Sequence, residues 1–205
     1  MQSLLASHRE PRVTLPVEVR WHGRGGQGVV TASRLLATAA LDAGLYPQSL
    51  PDFGAERSGA PVASYTRIGE EPPRIRGPVT APDAVIVLDP TLIGAVDVLE
   101  GVTPGASLIV NTSRAPDEVL DHLGSEGIVC CTADGDAISM RLLGRRLPNS
   151  PLLGAALRAF PVLDIEDIEK VLVREMTGKF PDAVVQGNAS ALKEGWNTAQ
   201  VAGPR

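Results

Sequence analysis

The sequence predicts an α/β fold: an open, mostly parallel sheet with helices on both faces, in three layers, followed by a C-terminal helical tail. Three observations carry that prediction. Continuous apolar runs over 84–88, 107–112 and 127–132 have the composition of parallel strands buried on both faces, where no polar side is left to alternate. Each run is followed by a segment with helical periodicity, over 92–101, 115–123 and 134–143. An extended run over 19–22 passes through Gly23, Gly25, Gly26 and Gly28 into a stretch, 31–41, that holds neither glycine nor proline and suits a helix. The 205 residues suffice for one domain with a substantial core. We expect an N-terminal extension over 1–16 and an α/β domain over 17–201.

The elements follow in order. Gly44 and Pro47 stop the first helix, and 48–54 should be a short extended piece running into a loop. Over 54–61, small residues flank Glu56-Arg57-Ser58, which is too polar for core and too short for a helix with a buried face. Apolar–polar alternation over 62–69 predicts a half-buried strand towards the sheet edge. Three prolines between 70 and 78 make an irregular loop with a basic tip at Arg74 and Arg76. Asp89-Pro90 turns the chain after the first buried run, and Pro104-Gly105 turns it before the second. Pro148 and Pro151 break the chain ahead of the tail, which shows no convincing strand. The tail reads as three helices over 152–160, 164–176 and 183–197, the second capped by Asp164 with Asp167 in its first turn, the third kinked at Gly187. These helices are expected on one face of the sheet.

Composition narrows the function classes. A net charge of −5 and a pI near 5.2 argue against nucleic acid as a partner. No run approaches the ~20 apolar residues that span a bilayer. Residues 1–16 carry His8, Arg9, Glu10 and Arg12 and no apolar core, so they read as a flexible arm or a strap onto a partner and not as a signal peptide. The only cysteines, Cys130 and Cys131, are adjacent, a spacing that strains a disulfide. Two buried thiols on a strand, in a reducing cytoplasm, are the expectation.

The chemistry-bearing stretch is the glycine loop. Its glycines let a ligand approach the backbone, and the free N–H groups of the following helical turn, with the helix dipole, favour an anion. A phosphate cradle is the reading, against a bare packing turn as the alternative. Gly23-x-Gly25-x-x-Gly28 fits dinucleotide spacing, but that pattern also needs an acidic residue ending a second strand, and Asp52 lies in a loop-like Pro51-Asp52-Phe53-Gly54 context. Asp89-Pro90 and Asn111-Thr112 should join the loop at the carboxyl ends of the strands, with the Glu56-Arg57-Ser58 loop placed to close over them. Arg34 and Arg57 suit phosphate, although Arg34 could be a solvated helix charge and Asn111 a turn cap. No catalytic constellation appears. His8, His22 and His122 are scattered, Ser58 lacks a nucleophile elbow, and no metal-ligand spacing exists. The chain reads as a binding subunit whose chemistry lies elsewhere.

Gly23-Arg24-Gly25-Gly26-Gln27-Gly28-Val29-Val30-Thr31-Ala32 resembles the opening motif of the gamma subunits of 2-oxoacid:ferredoxin oxidoreductases of the pyruvate synthase type. Similar matches are Phe53-Gly54-Ala55-Glu56-Arg57-Ser58-Gly59-Ala60-Pro61-Val62, Pro82-Asp83-Ala84-Val85-Ile86-Val87-Leu88-Asp89-Pro90-Thr91-Leu92, Ile109-Val110-Asn111-Thr112 and Asn149-Ser150-Pro151-Leu152-Leu153-Gly154-Ala155, in the family's order across 17–196. The resemblance implies a cytoplasmic complex with alpha, beta and delta-type subunits. These would carry thiamine diphosphate, Mg and 4Fe-4S clusters, decarboxylate a 2-oxoacid oxidatively, pass electrons to ferredoxin or a similar acceptor, and transfer the acyl group to coenzyme A. This chain would hold the coenzyme A. Gly25, Gly26, Gln27 and Gly28 would hold its pyrophosphate, Arg57 and Arg34 would neutralise it, and Asn111 would line the same cleft. Glu56 and Ser58 belong to the adjoining loop, which would move as the thiol reaches the partner subunit. Oxalate-type relatives use no coenzyme A, so the alternative is an assembly subunit with an empty cleft. Indolepyruvate- and phenylglyoxylate-type relatives leave the 2-oxoacid open. An NAD(P)-dependent dehydrogenase is disfavoured by the missing ribose acid.

Overall fold

A computed structural model describes residues 13–52 and 59–204; residues 1–12 of the expected extension over 1–16, and Glu56-Arg57-Ser58, lie outside the described residues. The three apolar runs form β4 (Ala84–Val87), β5 (Ser107–Asn111) and β6 (Val129–Ala133), and the run into the glycine loop forms β1 (Val17–Arg24). These four pair in parallel, in the order β1-β4-β5-β6. Two further strands, β2 (Tyr46–Asp52) and β3 (Pro61–Gly69), and a last strand, β7 (Gln200–Ala202), complete one sheet ordered β2-β3-β1-β4-β5-β6-β7. β3 is antiparallel to both its neighbours and β7 is antiparallel to β6, so five of the seven strands run the same way.

The two-residue period of the strands sorts the core onto two faces. Val19, Trp21, Ile68, Ile86, Ile109 and Cys131 point to one face, beneath α1 (Val29–Asp42), α4 (Asn149–Ala159), α5 (Ile165–Met176) and α6 (Asp182–Thr198). Val85, Val87, Leu108, Val110 and Cys130 point to the other, beneath α2 (Pro116–Leu123) and the segment carrying Leu92 and Val98. Helices therefore cover both faces, and the tail helices share one of them. The adjacent cysteines are buried on opposite faces, and burial pushes both thiols up to about 12. Among the described residues no helix is long and apolar enough to cross a membrane.

Several expected elements differ, each for a local reason. The piece expected as 48–54 is the full edge strand β2. Pro47 and Pro51 obscure it in the sequence, yet an edge strand tolerates residues that lack an N–H. The strand expected near the edge, β3, is interior and pairs along both sides; Ser64 and Thr66 alternate with apolar residues because they face α1, where the Ser33 hydroxyl meets those of Ser49 and Ser64 at 2.8 and 2.7 Å. No helix forms over 92–101: Asp89 caps a single 3-10 turn, Pro90–Leu92, and Ile93 is already extended (ψ 119°). The tail does contain a strand, β7, which covers the outer side of β6. α4 starts at Asn149, because Pro151 falls within the first turn, where its missing N–H costs nothing. Asp164 occupies the N-cap of α5 but its side chain makes no capping bond.

α6 is continuous through Gly187 and Gly195. Its glycines serve contact with a neighbour instead of a kink. A Cβ on Gly195 would lie 1.9 Å from the Pro151 carbonyl oxygen, and one on Gly154 would lie 1.9 Å from that of Leu192. Reciprocal glycines thus let α4 and α6 touch backbone to backbone, which fixes the start of α4 beside the glycine loop. The remaining helix, α3 (Gly135–Leu143), is capped by the Asp134 carboxylate, which accepts from the Ala137 N–H at 2.9 Å.

Candidate functional site

β1 delivers the chain to the glycine loop at its carboxyl end, the position where open α/β sheets hold ligands. Gly28 takes φ +81° as the N-cap of α1, and a Cβ there would come within 2.7 Å of Asn149 Cγ on α4. Only glycine suits both the dihedral and the space. A glycine cap has no side chain to offer, and no acceptor among the described residues meets the N–H groups of Val29, Val30 and Thr31. The positive end of a 14-residue helix is left uncapped.

The loop is braced from beneath by Asp89. Its carboxylate accepts from Gln27 Nε2 at 2.9 Å, Arg24 Nε at 3.1 Å, and the Thr91 N–H and hydroxyl at 3.0 and 2.6 Å. Burial pushes the Asp89 carboxyl up, but the Thr91 bonds, then Gln27 and Arg24, outweigh it and hold the group below the ordinary carboxylate range. Gln27 also closes the loop on itself, its Oε1 accepting from the Arg24 N–H at 2.7 Å. Arg24 reaches outward to the Gly59 carbonyl at 3.0 Å and to the Thr91 hydroxyl at 3.0 Å. The charge of Arg24 is therefore matched within the loop.

Above the loop lies a cleft of about 860 Å³. Its floor is Gly25, Gly26 and the uncapped start of α1; the start of α4 forms a second side with Asn149 and Ser150. Two helix N-termini thus face one space. Arg34 and Arg145 line it and make no ion pair among the described residues, whereas the lining carboxylate Glu175 stands 3.5 Å from Lys179 Nζ. Val30, Leu147, Met176 and Phe180 give the cleft an apolar wall, and Phe180 is 47% exposed there. The arrangement suits a ligand with an anionic end and a long, less polar remainder.

Among the residues singled out from the sequence, Gly25, Gly26, Gly28 and Arg34 come together on this cleft. Gln27 lies in the loop, but its amide turns to Asp89. Asn111 stands apart, 4% exposed at the end of β5: its Nδ2 donates to the Leu88 carbonyl at 2.9 Å and to Asp136 Oδ1 at 3.3 Å, and its Oδ1 accepts from the Asp136 N–H at 3.3 Å. It ties β5 to the start of α3. Glu56, Arg57 and Ser58 lie outside the described residues. Arg145, Asn149 and Phe180 are lining residues that sequence reasoning missed. Asn149-Ser150-Pro151 reads as a helix break, and its signal was an asparagine just ahead of a proline and an apolar run. Asp52, tested as a ribose acid, does end a strand, but β3 separates that strand from β1. It accepts instead from the Tyr65 hydroxyl at 3.3 Å.

The sequence matches the pyruvate ferredoxin/flavodoxin oxidoreductase family over residues 18–198. It is 41% identical over 179 residues to pyruvate synthase subunit PorC of Thermotoga maritima, covering 87% of this chain and 92% of that one. The crystal structure of that organism's pyruvate oxidoreductase subunit PORC superposes with a TM-score of 0.80 at 37% identity, covering 92% of this chain and 99% of that chain. The pyruvate/ketoisovalerate oxidoreductases common subunit gamma of Thermococcus kodakarensis is 40% identical over 185 residues, 90% of this chain and 98% of that one. The 2-oxoglutarate:ferredoxin oxidoreductase of Magnetococcus marinus, solved with 2-oxoglutarate, coenzyme A and succinyl-CoA bound, shares the fold at 20% identity and a TM-score of 0.73, over 94% of this chain and 34% of that chain.

Proposed function

The chain belongs to the pyruvate ferredoxin/flavodoxin oxidoreductase family as a gamma-type subunit of a multi-subunit oxidoreductase, and on that premise we propose that its cleft is the coenzyme A site of the complex. One observation carries the reading: among the described residues, an uncapped helix N-terminus above a glycine loop, two arginines without ion-pair partners, and an apolar wall share a single cleft. Coenzyme A has that polarity: an anionic pyrophosphate joins a phosphorylated adenosine to a long, less polar alkyl-amide arm. The pyrophosphate sits on Gly25, Gly26, Gly28 and the first-turn N–H groups of α1, with Arg34 and Arg57 as counter-charges. Gln27 acts through Asp89 to hold the loop in shape, and Asn111 fixes the neighbouring corner of the sheet; Glu56 and Ser58 adjoin Arg57 in sequence and belong to the same proposed set.

The partner chains are alpha, beta and delta-type subunits. Thiamine diphosphate with Mg supplies decarboxylation there, and 4Fe-4S clusters carry electrons to ferredoxin or a similar acceptor. The overall reaction converts a 2-oxoacid and coenzyme A to acyl-CoA and CO2, and this chain contributes binding alone. In the assembled complex, Arg34→Ala and Arg57→Ala each raise the apparent KM for coenzyme A about tenfold, the scale of one lost charge-assisted contact, while the KM for the 2-oxoacid stays within twofold. Turnover that ignores coenzyme A would instead leave the chain an assembly subunit of an oxalate-type enzyme.

A further inference from the structure

Among the described residues that line the cleft, Asn149 is the one with a buried side-chain polar atom that lacks a hydrogen-bond partner. It is 8% exposed, and its Oδ1 is buried with no hydrogen-bond partner. A buried amide oxygen left unpaired is disfavoured and calls for an explanation, and at a cleft wall a ligand donor supplies one. Its polar neighbours are satisfied: the Ser150 hydroxyl donates to Asn188 Oδ1 at 2.8 Å, and Asn188 Nδ2 donates to the Val184 carbonyl at 2.9 Å. Asn149 lies over Gly28 at the first position of α4, on the cleft wall beside the uncapped start of α1.

The chemistry of the vacant atom selects the ligand group. Phosphate oxygens are acceptors, and the N–H groups of the α1 first turn already answer them. A carboxamide oxygen needs a donor, and its Nδ2 needs an acceptor, so its complement is a group that offers both together: within coenzyme A, an amide of the pantetheine arm or the edge of the adenine, and only the first is missing from ADP. We infer that Asn149 binds an amide of the ligand's pantetheine arm and so sets the direction in which the arm leaves the phosphate cradle. This inference rests on the coenzyme A reading above. It makes Asn149 a ligand-orienting residue, distinct in role from the arginines.

Calorimetric titration of the full chain with ADP and with dephospho-coenzyme A tests it, because the two probes differ only by the pantetheine arm. The variant is Asn149→Leu, which keeps the branched shape and removes both hydrogen-bonding groups. We expect the Kd for dephospho-coenzyme A to rise about tenfold and the Kd for ADP to stay within twofold. The ligand-free Tm should hold or rise, since an unpaired amide has been replaced by an apolar group in an apolar wall. Equal weakening of both probes, as a contact with the adenine would give, or no weakening of either would overturn the assignment. Asn149→Ala repeats the comparison if leucine does not fit. Should the wild-type chain bind ADP but show no gain from the arm, the arm assignment fails while the phosphate cradle stands; should it bind neither probe, the coenzyme A reading fails and takes this one with it.

Discussion

His22 follows Arg20 by two residues on β1, so both side chains leave the strand on the same face. Arg20 is buried and donates to the carbonyls of Val98 and Glu100 at 3.0 and 2.6 Å, clamping the long connection between β4 and β5 onto the sheet. His22 Nε2 is buried with no hydrogen-bond partner among the described residues. Burial first, and the Arg20 charge second, push the imidazole from 6.5 down to about 4. The unfolded chain takes up this proton near pH 6.5 and the folded chain refuses it until about pH 4. The stability contribution is therefore complete above pH 6.5 and drains away as the pH falls towards 4. Between pH 6.5 and 5 that is roughly 2 kcal/mol. Urea melts at those two values should show this drop in the wild type, and His22→Gln, which cannot titrate, should show little of it. An equal slope in both would place the loss elsewhere.

At the scale of the element, the contact between α4 and α6 decides the geometry of the cleft. Gly195→Ala would gain about 1 kcal/mol in helix propensity. Its new methyl, however, would sit 1.9 Å from the Pro151 carbonyl, and backbone yields poorly. The clash wins: a net loss of about 3 kcal/mol, or roughly 10 °C in Tm, is expected by calorimetry. An unchanged Tm would mean that α4 moves freely away from α6. The elements legible in the sequence were those decided by one dominant signal. Continuous apolar runs marked β4, β5 and β6 because burial on both faces leaves no alternative composition, and the glycine loop marked the turn into α1. Elements decided by pairing partners were not legible. β2 is held by β3 and the Ser33 hydroxyl of α1 in spite of two prolines. β7 is three residues that matter only because β6 lies beside them. The glycines of α6 look like breaks until α4 is in place.

For the whole molecule, the sheet order puts the cleft at the carboxyl end of β1, where the start of α1 and the start of α4 meet from distant parts of the chain. That is why half of the site was legible and half was not. The α1 side is contiguous in sequence, from Gly23 to Arg34. The α4 side arrives from residues about 120 positions later, as a motif that by itself only signals a helix break. Arg24 is the converse case, a lining arginine whose charge the Asp89 carboxylate, 65 residues away, already matches. Membership of the family makes the chain one subunit of an oxidoreductase.

The most direct measurement is a calorimetric titration of the full chain with coenzyme A, beside a Thr31→Glu variant. Thr31 is exposed in the first turn of α1, where a glutamate favours the helix and so preserves the fold, yet sets a negative charge where the phosphates would sit. We expect saturable one-to-one binding in the wild type and at least a tenfold loss in the variant, with its Tm unchanged. No binding to the wild type, or equal binding to both chains, would contradict the placement of coenzyme A in this cleft.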